Sequence, residues 1–342
     1  MTLQASQISE CRTDLVDLMI LGAGPAGCAA AICARQAGMS VVLLDLQRAP
    51  KAIPGETLHP GVEPILKSLG VWDTVLQQKF HRHRGIWHED KSGQRKFVPY
   101  GRDASEPWLG FQVDRVRLNG ILQSRAKKLG ADIVRVRRVD GVIAASGSAV
   151  LGVMAEDSEY AARFTLDATG RHGWLANRLG LVSDSVSPAQ RVRFGWTRTS
   201  FSDHVSQPLF QEQRDGWNWT CPIGNGRSAW VKLRRNPGYR GMDYTWRIFR
   251  ECAGPGYFLL GDAACLMDPS AANGVLRALM SGMYSVHLIS ATDCGLATTS
   301  QAAAEYRRWF SDLFDKTRTE LAIPTEFLQQ ERFRHRPPDV VG

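Results

Sequence analysis

Long hydrophobic runs are missing from this 342-residue chain. The longest apolar stretch, Cys28 to Ala34, falls far short of the ~20 residues a membrane helix needs, so no membrane span is expected. The opening residues, MTLQASQISECRTD, contain no apolar core of a secretory leader, and the expectation is a cytoplasmic protein. Cysteine pairing signals are missing as well. The seven cysteines (Cys11, Cys28, Cys33, Cys221, Cys252, Cys265 and Cys294) are odd in number, and no CxxC occurs. Reduced thiols are a simpler account than a disulfide framework. His81 and His83, with His88 nearby, could mimic a metal set. No cysteine lies near them and Glu89-Asp90 reads as a turn, so no metal is expected. Lysine is scarce, 9 against 33 arginines, and the net charge of +8 is spread without any block of five like charges. That argues against a nucleic-acid patch and leaves a basic field suited to an anionic cofactor, substrate or acidic partner. What remains is ordinary: 44% apolar and 22% charged residues describe a globular chain long enough for about two domains.

The strongest local signal begins at Val16. Val16 to Leu21 reads as a buried strand and runs into Gly22-Ala23-Gly24-Pro25-Ala26-Gly27. An alanine-rich helix, Cys28 to Ala37, is stopped by Gly38, and a second strand, Ser40 to Leu44, ends at Asp45. This is GxGxxG in the strand, tight turn and helix context that the motif requires. Gly22 permits the turn, Gly24 lets the backbone approach a pyrophosphate, and Gly27 lets the helix pack on the strand. Pro25, Ala26 and Gly27 open the helix whose free N–H groups and positive dipole end meet the phosphates. Asp45, 18 residues after Gly27, stands where a ribose-binding acid is expected. The motif alone does not separate FAD from NAD.

Two distant segments choose between them. One is Leu166-Asp167-Ala168-Thr169-Gly170-Arg171. The other is Leu259-Leu260-Gly261-Asp262-Ala263-Ala264, followed by Asp268-Pro269 and Asn273-Gly274. With GAGPAG and Gly55-Glu56-Thr57, in this order, the set resembles the single-component flavoprotein monooxygenases and the flavin-dependent tryptophan halogenases, over roughly residues 17 to 290. The resemblance implies an α/β fold: a Rossmann-like FAD-binding domain of the glutathione-reductase type, as in p-hydroxybenzoate hydroxylase, with an inserted antiparallel β-sheet substrate domain. It implies that Asp262 holds ribityl or ribose hydroxyls, that Arg115 faces the pyrophosphate, and that Gly170 and Pro269 belong to the cofactor site. Asn273 and Gly274 then open a helix toward the flavin pyrimidine edge, where N–H groups stabilise the negative charge of reduced flavin. No second GxGxxG has a strand–helix context. NAD(P)H docking transiently, or a separate flavin reductase, is therefore the expected electron donor, with O₂ as co-substrate.

On the substrate side, Glu56 resembles the family's flavin-flanking acid, and His59 lies three residues on as a candidate acid or base near neutral pH. Trp217-Asn218-Trp219-Thr220-Cys221-Pro222 matches the halogenase WxWxIP segment except for Cys221. By that resemblance Trp217 and Trp219 line a tunnel between flavin and substrate. One departure matters. Aligned without gaps from Gly55-Glu56-Thr57, the halogenase lysine falls near His83, and Lys79 is offset by four residues. Without an amine there, hydroxylation through a flavin C4a-hydroperoxide is the expected chemistry, with halogenation or double-bond reduction as alternatives.

The expected organisation is a discontinuous FAD domain (1–85, 103–188 and 250–342) and a β-sheet substrate domain (86–102 and 189–249). Strands are expected over Phe194 to Thr199, Trp217 to Pro222 and Ser228 to Leu233, and a last helix over Gln301 to Thr319. Relatives carry a larger C-terminal helical cap. The resemblance thus suggests an open pocket, suited either to an aromatic small molecule or to a peptidyl or carrier-bound substrate such as a tryptophan side chain of a partner polypeptide, as in tryptophylquinone biogenesis.

Overall fold

The computed structural model describes residues 15–46, 57–102, 106–145, 149–198, 207–224, 226–236 and 238–322. Its first layer is built on a parallel sheet of β1 (Val16–Leu21), β2 (Val41–Leu46), β3 (Asp132–Val136), β4 (Ser158–Asp167) and β5 (Tyr257–Leu259). The order is β3, β2, β1, β4, β5, with Ala253–Gly254 antiparallel at the edge. Leu18, Met19, Ile20 and Leu21 of β1 are at most 1% exposed. A strand covered on both faces is apolar at successive positions, which is why its sequence shows no alternation.

Helices α1 (Pro25–Gln36), α2 (Arg115–Lys128), α3 (Gly274–Asp293) and α4 (Thr299–Ala322) belong to the same layer. α1 starts three residues earlier than its alanine run suggests, because Pro25 fits the first helical position with its fixed φ. It lies close against α3: a Cβ on Gly282 would come within 2.3 Å of the Ala26 carbonyl oxygen. α4 outruns its expected ends at both sides. It buries Tyr306, Phe310 and Phe314, an i, i+4, i+8 stripe. The Tyr306 hydroxyl donates to the Leu259 carbonyl at 2.8 Å, which ties α4 to β5.

The second layer is a seven-stranded sheet in the order Met242–Asp243, Arg191–Arg198, Arg227–Arg234, Gly216–Gly224, Leu209–Gln213, Gly85–Glu89, Arg95–Pro99. The antiparallel insertion expected from the sequence is present with one correction. Leu209–Gln213 and Gly85–Glu89 run parallel. These strands come from two separate insertions, so no hairpin dictates their relative sense. Trp217, Trp219 and Cys221 alternate onto the buried face of this sheet, packed with Val192, Leu233, Tyr244 and Leu266. A small sheet of Thr57–Leu58, Gly110–Gln112 and His81–His83 stands at the seam between the layers. Among the described residues, no helix is long and apolar enough to cross a membrane.

Candidate active site

Three chain turns meet at the carboxyl ends of β1, β4 and β5. The first is the glycine turn. Gly22 has φ +106, and a Cβ there would lie 2.5 Å from the Ala168 carbonyl oxygen. A Cβ on Gly27 would lie 2.0 Å from the Gly22 carbonyl oxygen. Both glycines are required by the chain itself. Gly24 is different: a Cβ would meet nothing within 4 Å. It borders open space beside the N-terminus of α1, which no side chain caps. Pro25, Ala26 and Gly27 form that first turn. The Gln123 amide of α2 donates to the Ala23 carbonyl at 3.0 Å and fixes the loop. Asp45 follows Leu44, whose carbonyl accepts from Gly22 N–H at 2.8 Å, so the acid stands beside the turn. Burial raises its pKa, against the pull of Arg135 and Lys127.

The second turn follows β4. Asp167 is fully buried and accepts from Thr169 N–H at 2.8 Å and Leu175 N–H at 2.7 Å. It holds Gly170 at φ +67 with open space beside it. The third follows β5, where Leu260 N–H donates to the Asp167 carbonyl at 2.8 Å. Gly261 N–H then donates to the Ser281 hydroxyl of α3 at 2.9 Å. Asp262 Oδ1 accepts from Arg277 Nη2 at 3.0 Å.

Pro269 lies in a single turn, Pro269–Ala271, and Ala272 takes a left-handed φ of +52 before Asn273. That conformation, rare outside glycine, delivers Asn273 and Gly274 to the N-terminus of α3. No side chain caps α3, and a Cβ on Gly274 would meet nothing within 4 Å. Arg115 opens α2, where Asp114 caps the helix by accepting from Val116 N–H at 2.9 Å. Burial raises the pKa of the Tyr244 hydroxyl, and Asp262 raises it further, against the pull of Arg171, Arg115 and Arg277.

The two tryptophans lie elsewhere in role. Trp217 is 3% exposed and donates from Nε1 to Asp268 Oδ1 at 3.1 Å. Trp219 is 6% exposed and donates to Thr57 Oγ1 at 3.1 Å, which donates in turn to Gln112 Oε1 at 2.9 Å. Both indoles bolt the second layer onto the first. His59 accepts at Nδ1 from Gly61 N–H at 3.0 Å. Burial lowers its pKa to about 4. Near neutral pH the ring is therefore mostly uncharged, with Nδ1 accepting and the proton on Nε2. Glu56 lies outside the described residues.

Residues that the motifs did not mark fill the space between. Tyr100 is 1% exposed and touches His59 (ring centroids 5.8 Å apart) and His83 (5.3 Å). His83 is 1% exposed, with Nδ1 3.1 Å from the Gly85 carbonyl, so Nδ1 carries the proton. Burial lowers its pKa to about 4, against the pull of its backbone hydrogen bonds. Lys79 is exposed, on a left-handed residue with φ +52 after the helix Trp72–Gln77.

A parallel sheet with a glycine turn, two uncapped helix N-termini and an acid at a third strand end defines a dinucleotide-binding flavoprotein fold. The chain belongs to the family described as FAD binding domain, which matches residues 15–253. It is similar to the menaquinone reductase of Mycobacterium tuberculosis, 26% identical over 87% of this chain and 82% of that protein. It is also similar to the 1H-pyrrole-2-carbonyl-[peptidyl-carrier protein] chlorinase of Pseudomonas fluorescens, 23% identical over 78% of this chain and 73% of that one. In fold it matches PqsL of Pseudomonas aeruginosa, solved with 2-aminobenzoylacetate, with TM-score 0.77 at 15% identity over 94% and 98% of the two chains. The chain is an FAD-dependent oxidoreductase. The open space at Gly24, Gly170 and Gly274 and the two uncapped helix ends fit FAD.

Proposed function

We propose that this chain hydroxylates an electron-rich aromatic substrate, of the indole or tryptophan type, as an FAD-dependent monooxygenase. The observation that carries the choice is His83. By the ungapped alignment from Gly55-Glu56-Thr57 the halogenase lysine falls near it, and His83 is buried against Tyr100, while Lys79 faces solvent. A neutral imidazole held inward offers no amine to carry a hypohalite, and arginine does not replace one because its guanidinium stays protonated.

FAD, bound and reduced, supplies the oxygen-activating chemistry. Overall, an aromatic C–H, O₂, two electrons and two protons give C–OH and water, with NAD(P)H or a separate flavin reductase as the source of electrons. The chain's own residues bind and orient. The turns at Gly22–Gly27 and Gly170, the N-terminus of α1 and Arg115 would take the diphosphate side. Asp262, Pro269, Asn273 and Gly274 would take the ribityl and pyrimidine side. Trp217 and Trp219 close the seam and exclude water from it. His59 offers an Nε2–H donor, and its ring and Leu276 of α3 both flank Gly61.

The test uses the full-length flavoprotein, indole or tryptophan as probe, a flavin reductase with NADH, and isotopically labelled dioxygen with bromide present. Incorporation of one labelled oxygen atom into the probe supports the reading, and a brominated product overturns it. The kinship with menaquinone reductase favours a second reading, reduction of a double bond. Anaerobic consumption of menaquinone without oxygen uptake would support that reading instead. A candidate partner polypeptide in place of the free probe distinguishes a protein-bound tryptophan by its mass gain.

A further inference from the structure

Arg277 is the residue of α3 that helix packing does not explain. Its neighbours Leu276, Ala278 and Leu279 are apolar, and an apolar side chain would serve the helix equally well. Yet Arg277 is only 8% exposed. A guanidinium keeps its charge, so burying one demands partners for that charge and for its N–H groups. One partner is present: Nη2 donates to Asp262 Oδ1 at 3.0 Å. The Nε–H is buried and meets no acceptor. A buried charged donor without an acceptor is costly, and proteins keep one chiefly where a ligand or water completes it.

The location gives this buried charge a task. Arg277 lies in the first turn of α3 and bonds the turn Gly261–Ala263 that carries Asp262. The side chain of Asp262 has 35% of its surface open, whereas that of Arg277 has 9%. Asp262 thus faces the crevice, and Arg277 stands behind it with its charge directed at the carboxylate.

We propose that Arg277 is a positioning residue of the cofactor site: its Nη2 aims the Asp262 carboxylate at the ribityl side of FAD. The inference rests on FAD lying along Asp262. A planar guanidinium is suited to this task, because its N–H groups are held at a fixed angle and its charge persists when buried. A purely structural ion pair between α3 and the preceding turn would hold the fold equally well and leave cofactor affinity unchanged.

The experiment titrates full-length chains with FAD, following quenching of flavin fluorescence and the visible circular dichroism of the bound flavin. Arg277→Met, Arg277→Lys, Asp262→Asn and the double Arg277→Met/Asp262→Asn are compared with the parent. Arg277→Met is expected to weaken FAD binding at least tenfold. Arg277→Lys keeps the charge but not the fork, and regains only part. The double variant is expected to bind no more weakly than the worse single, because the two residues act as one unit. Arg277→Met binding FAD like the parent, with only a lower melting temperature, would overturn the proposal, as would penalties that multiply. Should the methionine variant not fold, Arg277→Lys and Arg277→Gln carry the same comparison. A parent chain that binds no FAD at all would sink the cofactor reading itself, a separate result.

Discussion

Trp217 Nε1 donates to Asp268 Oδ1 at 3.1 Å, across the seam between the two layers. Asp268 is 5% exposed and also accepts from Ser270 N–H at 2.9 Å. Burial raises its pKa, and these donors hold its position at the turn that leads to Asn273. Trp217→Phe keeps most of the ring volume and removes one donor. It should cost about 1–3 kcal/mol, the range for a buried polar group left short of a partner. Thermal unfolding of the variant checks this; an unchanged melting temperature would show that the bond holds nothing.

Trp219 makes the companion contact through Thr57. Thr57→Val removes the hydroxyl between the indole and Gln112 and leaves two buried polar groups without it. The expected loss is again about 1–3 kcal/mol. Measured with Trp217→Phe in a double-mutant cycle, the two losses should nearly add, because the two pairs share no hydrogen-bond partner.

The glycine turn separates folding from binding. Gly27→Ala places a methyl 2.0 Å from a backbone oxygen and should lower stability by several kcal/mol or abolish folding. Gly24→Ala meets nothing in the protein and has an extended backbone that alanine adopts. It should melt like the parent without FAD and bind FAD at least tenfold more weakly. Differential scanning fluorimetry with and without FAD reads both.

His59 and His83 make stability fall on the acid side. Both fold with pKa values of about 4 against an ordinary value of 6.5. Between these limits the unfolded chain binds more protons than the folded one, so stability drops as pH falls from about 6.5 to about 4. Each ring can contribute up to about 3 kcal/mol of that loss. Asp167 and Asp268, whose pKa values burial raises, contribute with the opposite sign. The difference between parent and His83→Gln isolates the imidazole. Urea unfolding at about pH 7 and about pH 5 should show a smaller acid loss in the variant.

The cofactor site was legible where its residues are close in sequence or carry a fixed spacing. Gly22, Gly24, Gly27 and Asp45 are fixed by one strand–turn–helix–strand unit. Gly170, Asp262 and Gly274 became readable through their resemblance to a family, and the structure brings those turns together. The tryptophan strand was legible as a strand, while the targets of its indoles were not: Trp219 and Thr57 are 162 residues apart. Tyr100 carried no motif, and His83 was marked by its alignment near the halogenase lysine; the complete burial of both at a seam between insertions was not legible. Arg277 read as an ordinary helix charge; only its burial and its bond to Asp262 set it apart. What the sequence did not show for His59 is its burial, which keeps the ring uncharged near neutral pH.

The central claim is that the turn at Gly24 and the acid at Asp262 hold the same FAD molecule. The most direct measurement is the flavin content of the purified chain and of Gly24→Ala and Asp262→Asn, read from the visible absorption spectrum after FAD loading. The account predicts one FAD per parent chain and a large loss in each variant, with folding intact. A colourless parent chain that takes up no FAD, or variants that retain it fully, would contradict the account.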